Sequence, residues 1–415
     1  MKILVGFLSQ AAVTLALSQD NNAVWIDKRL NKFDLKVKNF ENTGRGLATT
    51  RDRKAGEVVL EVDDALTSAR MLDRFEGIKS AAAAASTNKP LTDEQVLSLG
   101  VLEMRSNNED YISTLPEYQY SVLTLPSSLE SCLPQCYQTS VQASQESARI
   151  LYDEIILLLF RIITAAPPPS FDSFLWAFSI VRSRSVLAPE LEMHPLLNYG
   201  PGARMILPGI DLLNHKVGSR CFLEFEEKVC RWKLSSKDSY NKDDQIFLSY
   251  GDLDNLKLFI NYGFCSRDNP NNLVFFDLDD LLQASSSARP GLFSESLLAR
   301  IKPQLETAVG TTKGEERAVF SYDDSTGPRE SLTAGLNMMQ QVAQQLYGMK
   351  DDEGLLFKED IVRCLKEIRC DEIRVCLTNL ENVDDLPEGW GATKDYMRIL
   401  LETENEILTA QKIDY

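Results

Sequence analysis

Short strand patterns occupy two separate stretches of this chain, and a long stretch of helical periodicity lies between them. From Phe33 to Leu66 the sequence runs FDLKVKNF, then ENTGRG, then LATTRDRKAGEVVLEV, with a second turn at Lys54, Ala55 and Gly56. Alternation bounded by Asn and Gly predicts a small β-meander. From about Ala69 to Ala188 the period is helical. There LTDEQVLSLGVLEM opens at a Thr92 cap followed by acidic residues, and ESARILYDEIILLLFRIIT carries a wide apolar face. The prolines Pro167 to Pro169 end one helix, and DSFLWAFSIVRSR starts the next at an Asp172 or Ser173 cap. Strand character returns at RMILPGIDLLNH, CFLEFEEKVCRWKL and DQIFLSYG, followed by a helical DNLKLFINYGF and a short strand NLVFF. Beyond about Leu278 the pattern is helical to the end, with polar connectors at Thr311 to Arg317 and Ser321 to Glu330. The reading is α+β: a β-fold over residues 24–277 that carries a helical insert at about 69–188, then an all-α region over 278–415.

Composition narrows the chemistry. Against 44 Lys+Arg stand 61 Asp+Glu, a formal charge of −17, in a chain that is 44% apolar and 25% charged. That is an ordinary globular composition, with a length that suits two domains. The acidic excess repels phosphate backbones, and no Lys/Arg run overrides it, which argues against nucleic acid as a direct partner. Only His194 and His215 are available as imidazoles, too few for most His-based metal sites or Ser/Cys–His hydrolases, so no metal is expected. None of the eight cysteines shows zinc-ribbon or redox spacing, and they read as mostly buried thiols. Cys132 and Cys136 bracket Pro134 and would bridge only in an oxidising compartment. No apolar run reaches the ~20 residues of a membrane span.

The first residues read differently. Met1 and Lys2 precede an apolar run from Ile3 to Leu17, and Ala16 with Ser18 offers signal-peptidase spacing. Residues 1–23 are expected to be a secretory signal, leading to the secretory pathway or to a plastid reached through it. Ser9, Gln10 and Thr14 interrupt the run, so an N-terminal helix, with residence in cytoplasm or nucleus, is the alternative.

Three segments together resemble the SET-domain protein methyltransferases, in the branch typified by the Rubisco large-subunit methyltransferase. TGRGLATTRDRKAGEVVLEV (Thr43 to Val62) is similar to that family's glycine turn and hairpin, LPGIDLLNH (Leu207 to His215) to its Asp-x-x-Asn-His element, and LSYGDLDNLKLFINYGF (Leu248 to Phe264) to its Ser-Tyr-Gly, Asn and Tyr-Gly-Phe pattern. Their order, with a helical insert after the first and a helical tail after the third, carries the resemblance. IVRSRSV (Ile180 to Val186) and LLETENEIL (Leu400 to Leu408) are also similar to branch segments, the latter to the last helix of its substrate-binding domain. One departure is Asp254, where the family often has Ser before the Asn, and only a surface consequence is expected.

The resemblance implies a SET β-fold and S-adenosyl-L-methionine as methyl donor. By the same resemblance a protein substrate is bound through the SET groove and the C-terminal helical domain, and a lysine of a non-histone protein is methylated. Histidine is the alternative acceptor, and a catalytically silent binding module is the alternative class. Methyl transfer to an amine asks for a neutral nitrogen held about 3 Å from the methyl group with water excluded. Tyrosine-rich, metal-free surroundings suit that. Tyr250, at the end of the apolar strand Gln245 to Ser249 and directly before Gly251, is by resemblance the tyrosine whose hydroxyl lies near the transferring methyl. Tyr262 and Phe264 would help form the lysine channel. Asp211, Asn214 and His215 are polar residues set into an apolar run, so each needs a partner, in either a structural hydrogen-bond cluster or a ligand contact. By resemblance Asn214 and His215 contact the cofactor and Asp211 shapes the same pocket. Thr43, Gly44, Arg45 and Gly46 would bring bare backbone close to it. Arg184 would pair with its carboxylate, with Arg182 as the competing candidate. His194 reads as a loop residue, and the acidic clusters Asp243-Asp244 and Asp351 to Glu353 as solvated surface.

Overall fold

The structure is a computed structural model that describes residues 23–85, 90–153, 169–188, 203–309, 319–323, 327–328, 330–350 and 353–410. The expected signal, apart from Ala23, and the loop with His194 lie outside the described residues. In chain order the strands are β1 (Leu35–Phe40), β2 (Gly44–Thr49), β3 (Val58–Val62), β4 (Leu66–Thr67), β5 (Ser185–Ala188), β6 (Ala203–Ile206) and β7 (Asn214–His215). Then come β8 (Cys221–Glu226), β9 (Arg231–Ser236), β10 (Gln245–Leu248), β11 (Val274–Asp277), β12 (Val319–Asp323) and β13 (Gly327–Pro328).

β1 and β2 form the expected hairpin, with Val37 opposite Leu47, but the meander stops there. The free edge of β2 is taken by β10, so β3 turns away and pairs with β9, Leu60 opposite Leu234. Alternation marks a strand without naming its partner. The corner between β2 and β3 is held by Arg53, which is 4% exposed. Its Nε donates to Thr49 Oγ1 at 3.0 Å, its Nη1 to Val58 O at 3.0 Å and its Nη2 to Phe33 O. Its backbone exchanges bonds with Tyr240, Arg53 N donating to Tyr240 O at 2.8 Å. A buried guanidinium is tolerable because carbonyls surround it. β4, β6 and β5 make a third small sheet, and the apolar faces of the strands, among them Leu35, Leu47, Leu60, Met205 and Ile246, share one core.

Helices Asp93–Ser106 and Phe171–Arg184 pack a second core in the insert, around Leu97, Val101, Phe174 and Ile180. Thr92 caps the first as expected, in a capping box with Gln95. The second is capped by Ser170 rather than Asp172 or Ser173, with Ser173 N donating to Ser170 Oγ at 3.2 Å. Ser170 is the last extended residue after Pro169, and the chain enters the helix immediately beyond it. The insert helix Gln135–Leu151 reaches across to the third core, where Tyr137 and Val141 join the helices Leu278–Ala288, Glu330–Tyr347, Gly354–Glu381 and Gly391–Thr409. Cys132 and Cys136 are free thiols that donate to different carbonyls, Ser128 O and Phe275 O. The region after residue 278 is helical with one exception to the all-α expectation. β12 and β13 extend β11 into a three-stranded sheet, Phe276 opposite Phe320, where the polar connector composition hid a short strand. No described helix is long and apolar enough to cross a membrane.

Asp254 corrects a further expectation. It is 2% exposed and caps the helix Asn255–Tyr262, accepting from Lys257 N at 2.8 Å, so its role is internal. Ser and Asp are both good N-caps, which explains why either residue fits here. Asp254→Ala should lower stability by about 1–2 kcal/mol, read from the urea midpoint, and Asp254→Ser should restore most of the loss.

Candidate functional site

The site is organised by β10, which lies antiparallel to β2 and parallel to β7, with Phe247 opposite Asn214 and Leu248 opposite His215. Asn214 Nδ2 donates to Thr43 O and to Arg45 O, both at 3.2 Å, which ties β7 to the glycine turn. Thr43 Oγ1 donates to Gln245 Oε1 at 2.9 Å. A Cβ on Gly46 would sit 2.6 Å from Gln245 Nε2 and 2.7 Å from Asn214 Nδ2, so any other residue would have to push these two amides aside. Gly44 has φ +67°, open to glycine at little cost.

Past Leu248 the strand ends and Tyr250 turns back onto β7. Its backbone N donates to His215 Nδ1 at 3.0 Å and its hydroxyl to Leu213 O at 2.7 Å. Burial pushes the phenol well up, so it stays protonated and donates. Burial pushes the His215 imidazole down, keeping it neutral and able to accept at Nδ1. Its Nε2 is buried and has no partner among the described residues. Tyr262 stacks obliquely on Tyr250 with centroids 4.8 Å apart. Phe264 packs beside His215 at 6.1 Å and against Tyr396 of the helix Gly391–Thr409 at 6.4 Å.

A charged cluster adjoins this aromatic group. Arg184, at the end of its helix, donates from Nη1 to Asp211 O at 2.9 Å and to Asp211 Oδ2 at 3.2 Å. Tyr111 OH donates to Asp211 Oδ2 and Gly209 N to Asp211 Oδ1, each at 2.9 Å. Arg45 donates to Thr114 O at 2.6 Å. Burial, with the charge of Arg184 next, pushes Arg45 down to about 10, still charged at neutral pH. Two guanidiniums therefore share one carboxylate, and Arg184 Nε is buried without a partner among the described residues. The excess positive charge suits an anion. Arg182, the competing candidate, is directed elsewhere, to Asn261 Oδ1 at 3.1 Å and towards Glu94 at 3.8 Å. The sequence reading missed Tyr111 and Thr114, which the insert delivers and which no local pattern marks.

In front of Tyr250 opens a cleft of about 1510 Å³. Arg184, Asp211, Leu213, Tyr250 and Tyr262 line it, together with residues of the helix Gln135–Leu151. Thr43 to Gly46, Asn214, His215 and Phe264 are not among the lining residues. They adjoin the Leu213–Tyr250 pair through the His215–Tyr250 bond, and Tyr262 lines the cleft while Phe264, expected with it in a channel, packs beside His215.

This arrangement is a SET fold, and comparison with known proteins places it. The structure of the SET domain of LSMT, bound to lysine and AdoHcy, superposes with a TM-score of 0.62 over 95% of this chain and 90% of that one at 17% identity. "SET domain-containing protein 4" of Artemia parthenogenetica is 27% identical over 249 residues, covering 59% of this chain and 61% of the relative. Its human namesake is 24% identical over 261 residues, covering 59% and 57%. The chain thus spans about three fifths of the length of the curated relatives it matches. No family model matches. The chain therefore has the fold of the LSMT SET domain and is similar in sequence to SET domain-containing proteins.

Two outcomes follow from the charged cluster and the imidazole. Asp211→Asn would leave two buried cations facing each other and should cost about 3 kcal/mol or more in urea unfolding. Below pH 6.5, the ordinary value for His215, the unfolded chain takes up a proton that the folded imidazole, with its lowered pKa, refuses. Stability should therefore fall from pH 6.5 down to the folded value, and denaturation profiles of His215→Gln should show a shallower acid limb there.

Proposed function

We propose that the protein transfers a methyl group from S-adenosylmethionine to a side-chain nitrogen, a lysine, of another protein. The observation that carries this is the position of the Tyr250 hydroxyl on Leu213 O, with Tyr250 and Tyr262 lining the cleft and the Tyr250 backbone bonded to His215, whose neighbour Asn214 is tied to the glycine turn. A displacement in line needs donor and acceptor to approach from opposite sides of a narrow opening. The residues around Tyr250 suit the cofactor on structural grounds. Gly46 leaves bare backbone at the turn, His215 Nε2 and Arg184 Nε are unpartnered, and the Arg45–Arg184 pair has room for one more negative charge such as a carboxylate. Bound there, S-adenosylmethionine would supply an electrophilic methyl on a sulfonium.

The chain's own residues handle the amine. A lysine of ordinary pKa ~10.4 is charged at neutral pH, and holding it neutral costs on the order of 4 kcal/mol unless the surroundings shift it. Burial against Tyr250 and Tyr262 and the neighbouring guanidinium of Arg184 both disfavour an ammonium, so the amine enters stripped of its proton. The two rings hold the aliphatic stem, and the Tyr250 oxygen, its proton committed to Leu213 O, accepts from the amine and aims its lone pair. The lysine and AdoHcy of the LSMT structure, and the named SET-domain relatives, support the same reading.

Tyr250→Phe keeps the ring and should leave cofactor affinity nearly unchanged while lowering turnover by about 2–4 kcal/mol, the range for one preorganised polar contact. Asn214→Ala should weaken cofactor binding first, as measured by calorimetry, because it also frees the turn carbonyls. Full turnover in Tyr250→Phe would remove that residue from the chemistry. Absence of methyl transfer by the wild type to any protein of a lysate, with cofactor still bound, would favour a binding module.

A further inference from the structure

Among the described residues that line the cleft, one cation has no carboxylate partner. Arg184 is engaged by Asp211, Lys257 by Asp254 at 3.2 Å, and Arg182 lies against Glu94 and Asn261. Arg204, on β6, has no carboxylate within ion-pair distance among the described residues, and its guanidinium makes one long contact, from Nη1 to Ser185 Oγ at 3.3 Å. The strand beneath it is fixed independently, since Arg204 N donates to Asp93 Oδ2 at 2.8 Å. The guanidinium is half-buried and its charge reaches both the Tyr262 phenol and Arg182, which puts it beside the tyrosine that faces the cleft.

Its neighbour is apolar. Leu187 pairs directly with Arg204 across β5 and β6, so the two side chains leave the sheet on the same face, and both line the cleft. Leu187 is 49% exposed, and Ile150 on the helix Gln135–Leu151 is 45% exposed. A half-desolvated guanidinium with an apolar shelf beside it fits a carboxylate carried on a short aliphatic stem.

We propose that Arg204, with Leu187, binds an acidic side chain flanking the target residue, so the substrate segment is locally acidic although the enzyme as a whole is acidic too. This rests on the methyltransferase reading and narrows its substrate class: a lysine-rich tail, of the histone kind, would place cations against Arg182 and Arg204, whereas a Glu- or Asp-flanked lysine meets an opposite charge. The cofactor's carboxylate is the other anion in reach of this chemistry; Arg184, the arginine given to it above, is tied to Asp211, whereas Arg204 has no carboxylate partner among the described residues.

The test uses fluorescein-labelled peptides of Ala and Gly with a central lysine, flanked on both sides by Glu, Gln or Lys, titrated by anisotropy into full-length protein holding S-adenosylhomocysteine. The Glu peptide should bind the wild type about fivefold or more tighter than the Gln peptide, and the gap should shrink as salt is raised. Arg204→Gln should close the gap and Arg204→Lys keep most of it. Arg204→Glu should reverse the order in favour of the Lys peptide, an inversion that misfolding cannot imitate. Equal affinity for the three peptides, no binding of any, or a gap that survives in Arg204→Gln would overturn the assignment. An Arg204→Gln variant that lost affinity for S-adenosylmethionine while keeping the peptide gap would give the residue to the cofactor instead. Methyl transfer to the same peptides is read separately: peptide discrimination without transfer would count against the reaction and leave Arg204 in place, and transfer without discrimination would do the reverse.

Discussion

Everything at the centre of this protein depends on one strand being held between two others that precede it in the chain. β10 has only four residues, and it carries pairing to β2 on one edge and to β7 on the other. Strands so short contribute little pairing energy, so side chains complete the joint. Asn214 bonds to carbonyls of the glycine turn, Thr43 to Gln245, and His215 to the backbone of Tyr250. The bonds that close the sheet are made by the same residues that surround the site. Moving any of them moves Tyr250, and that coupling gives the hydroxyl a fixed address on Leu213 O.

The helical insert completes the electrostatics of that centre. Arg45 of the β-fold lies near Arg184 of the insert with a single carboxylate, Asp211, for both, a costly arrangement without further partners. The insert supplies Tyr111 to hold Asp211 and the Thr114 carbonyl to accept from Arg45, and it also supplies Arg184 itself at the end of its last helix. The positive excess that remains is shared between two elements that meet only when the insert is docked. A site assembled this way forms with the fold rather than ahead of it.

What could be read from the sequence, and what could not, divides along the same line. The glycine turn, the Asn-His pair and the Ser-Tyr-Gly segment are local patterns, each with turn residues or polar residues in an apolar run, and the structure gathers them. The Thr92 cap was legible for the same reason. Arg204, Tyr111 and Tyr396 are single residues in ordinary surroundings, and they reach the site by tertiary packing that no periodicity encodes. Phe264 shows the limit from the other direction: its segment was recognisable, yet where its ring packs depends on Gly263, at φ +79°, turning the chain where a Cβ would strike Tyr120 O at 2.8 Å. The same limit applies to β3, whose alternation was clear and whose partner was not. Asp254 looked like surface because a charged residue in a turn usually is, and only the docked helix buries it.

One wall of the cleft raises the question of what keeps it in place, since the helix Gln135–Leu151 belongs to the insert by sequence but packs on the C-terminal core. Its anchor is polar. Arg369, 1% exposed, donates from Nη2 to Asp280 Oδ2 at 2.8 Å and to Cys136 Sγ at 3.1 Å, and its guanidinium lies 5.5 Å from the Tyr137 ring centroid. Tyr137 in turn bonds Glu404, whose carboxyl burial pushes up to about 8, so that it is largely protonated at neutral pH and this end of the network needs no second buried charge. Cys136 and Tyr137 line the cleft while Asp280, Arg369 and Glu404 sit on three C-terminal helices. A buried network of this kind is specific in geometry, because each member left unpaired is costly where an apolar contact could slide. The C-terminal helices therefore set the position of the part of the cleft wall that Cys136 and Tyr137 form, and Tyr396 carries their reach on to Phe264 beside His215.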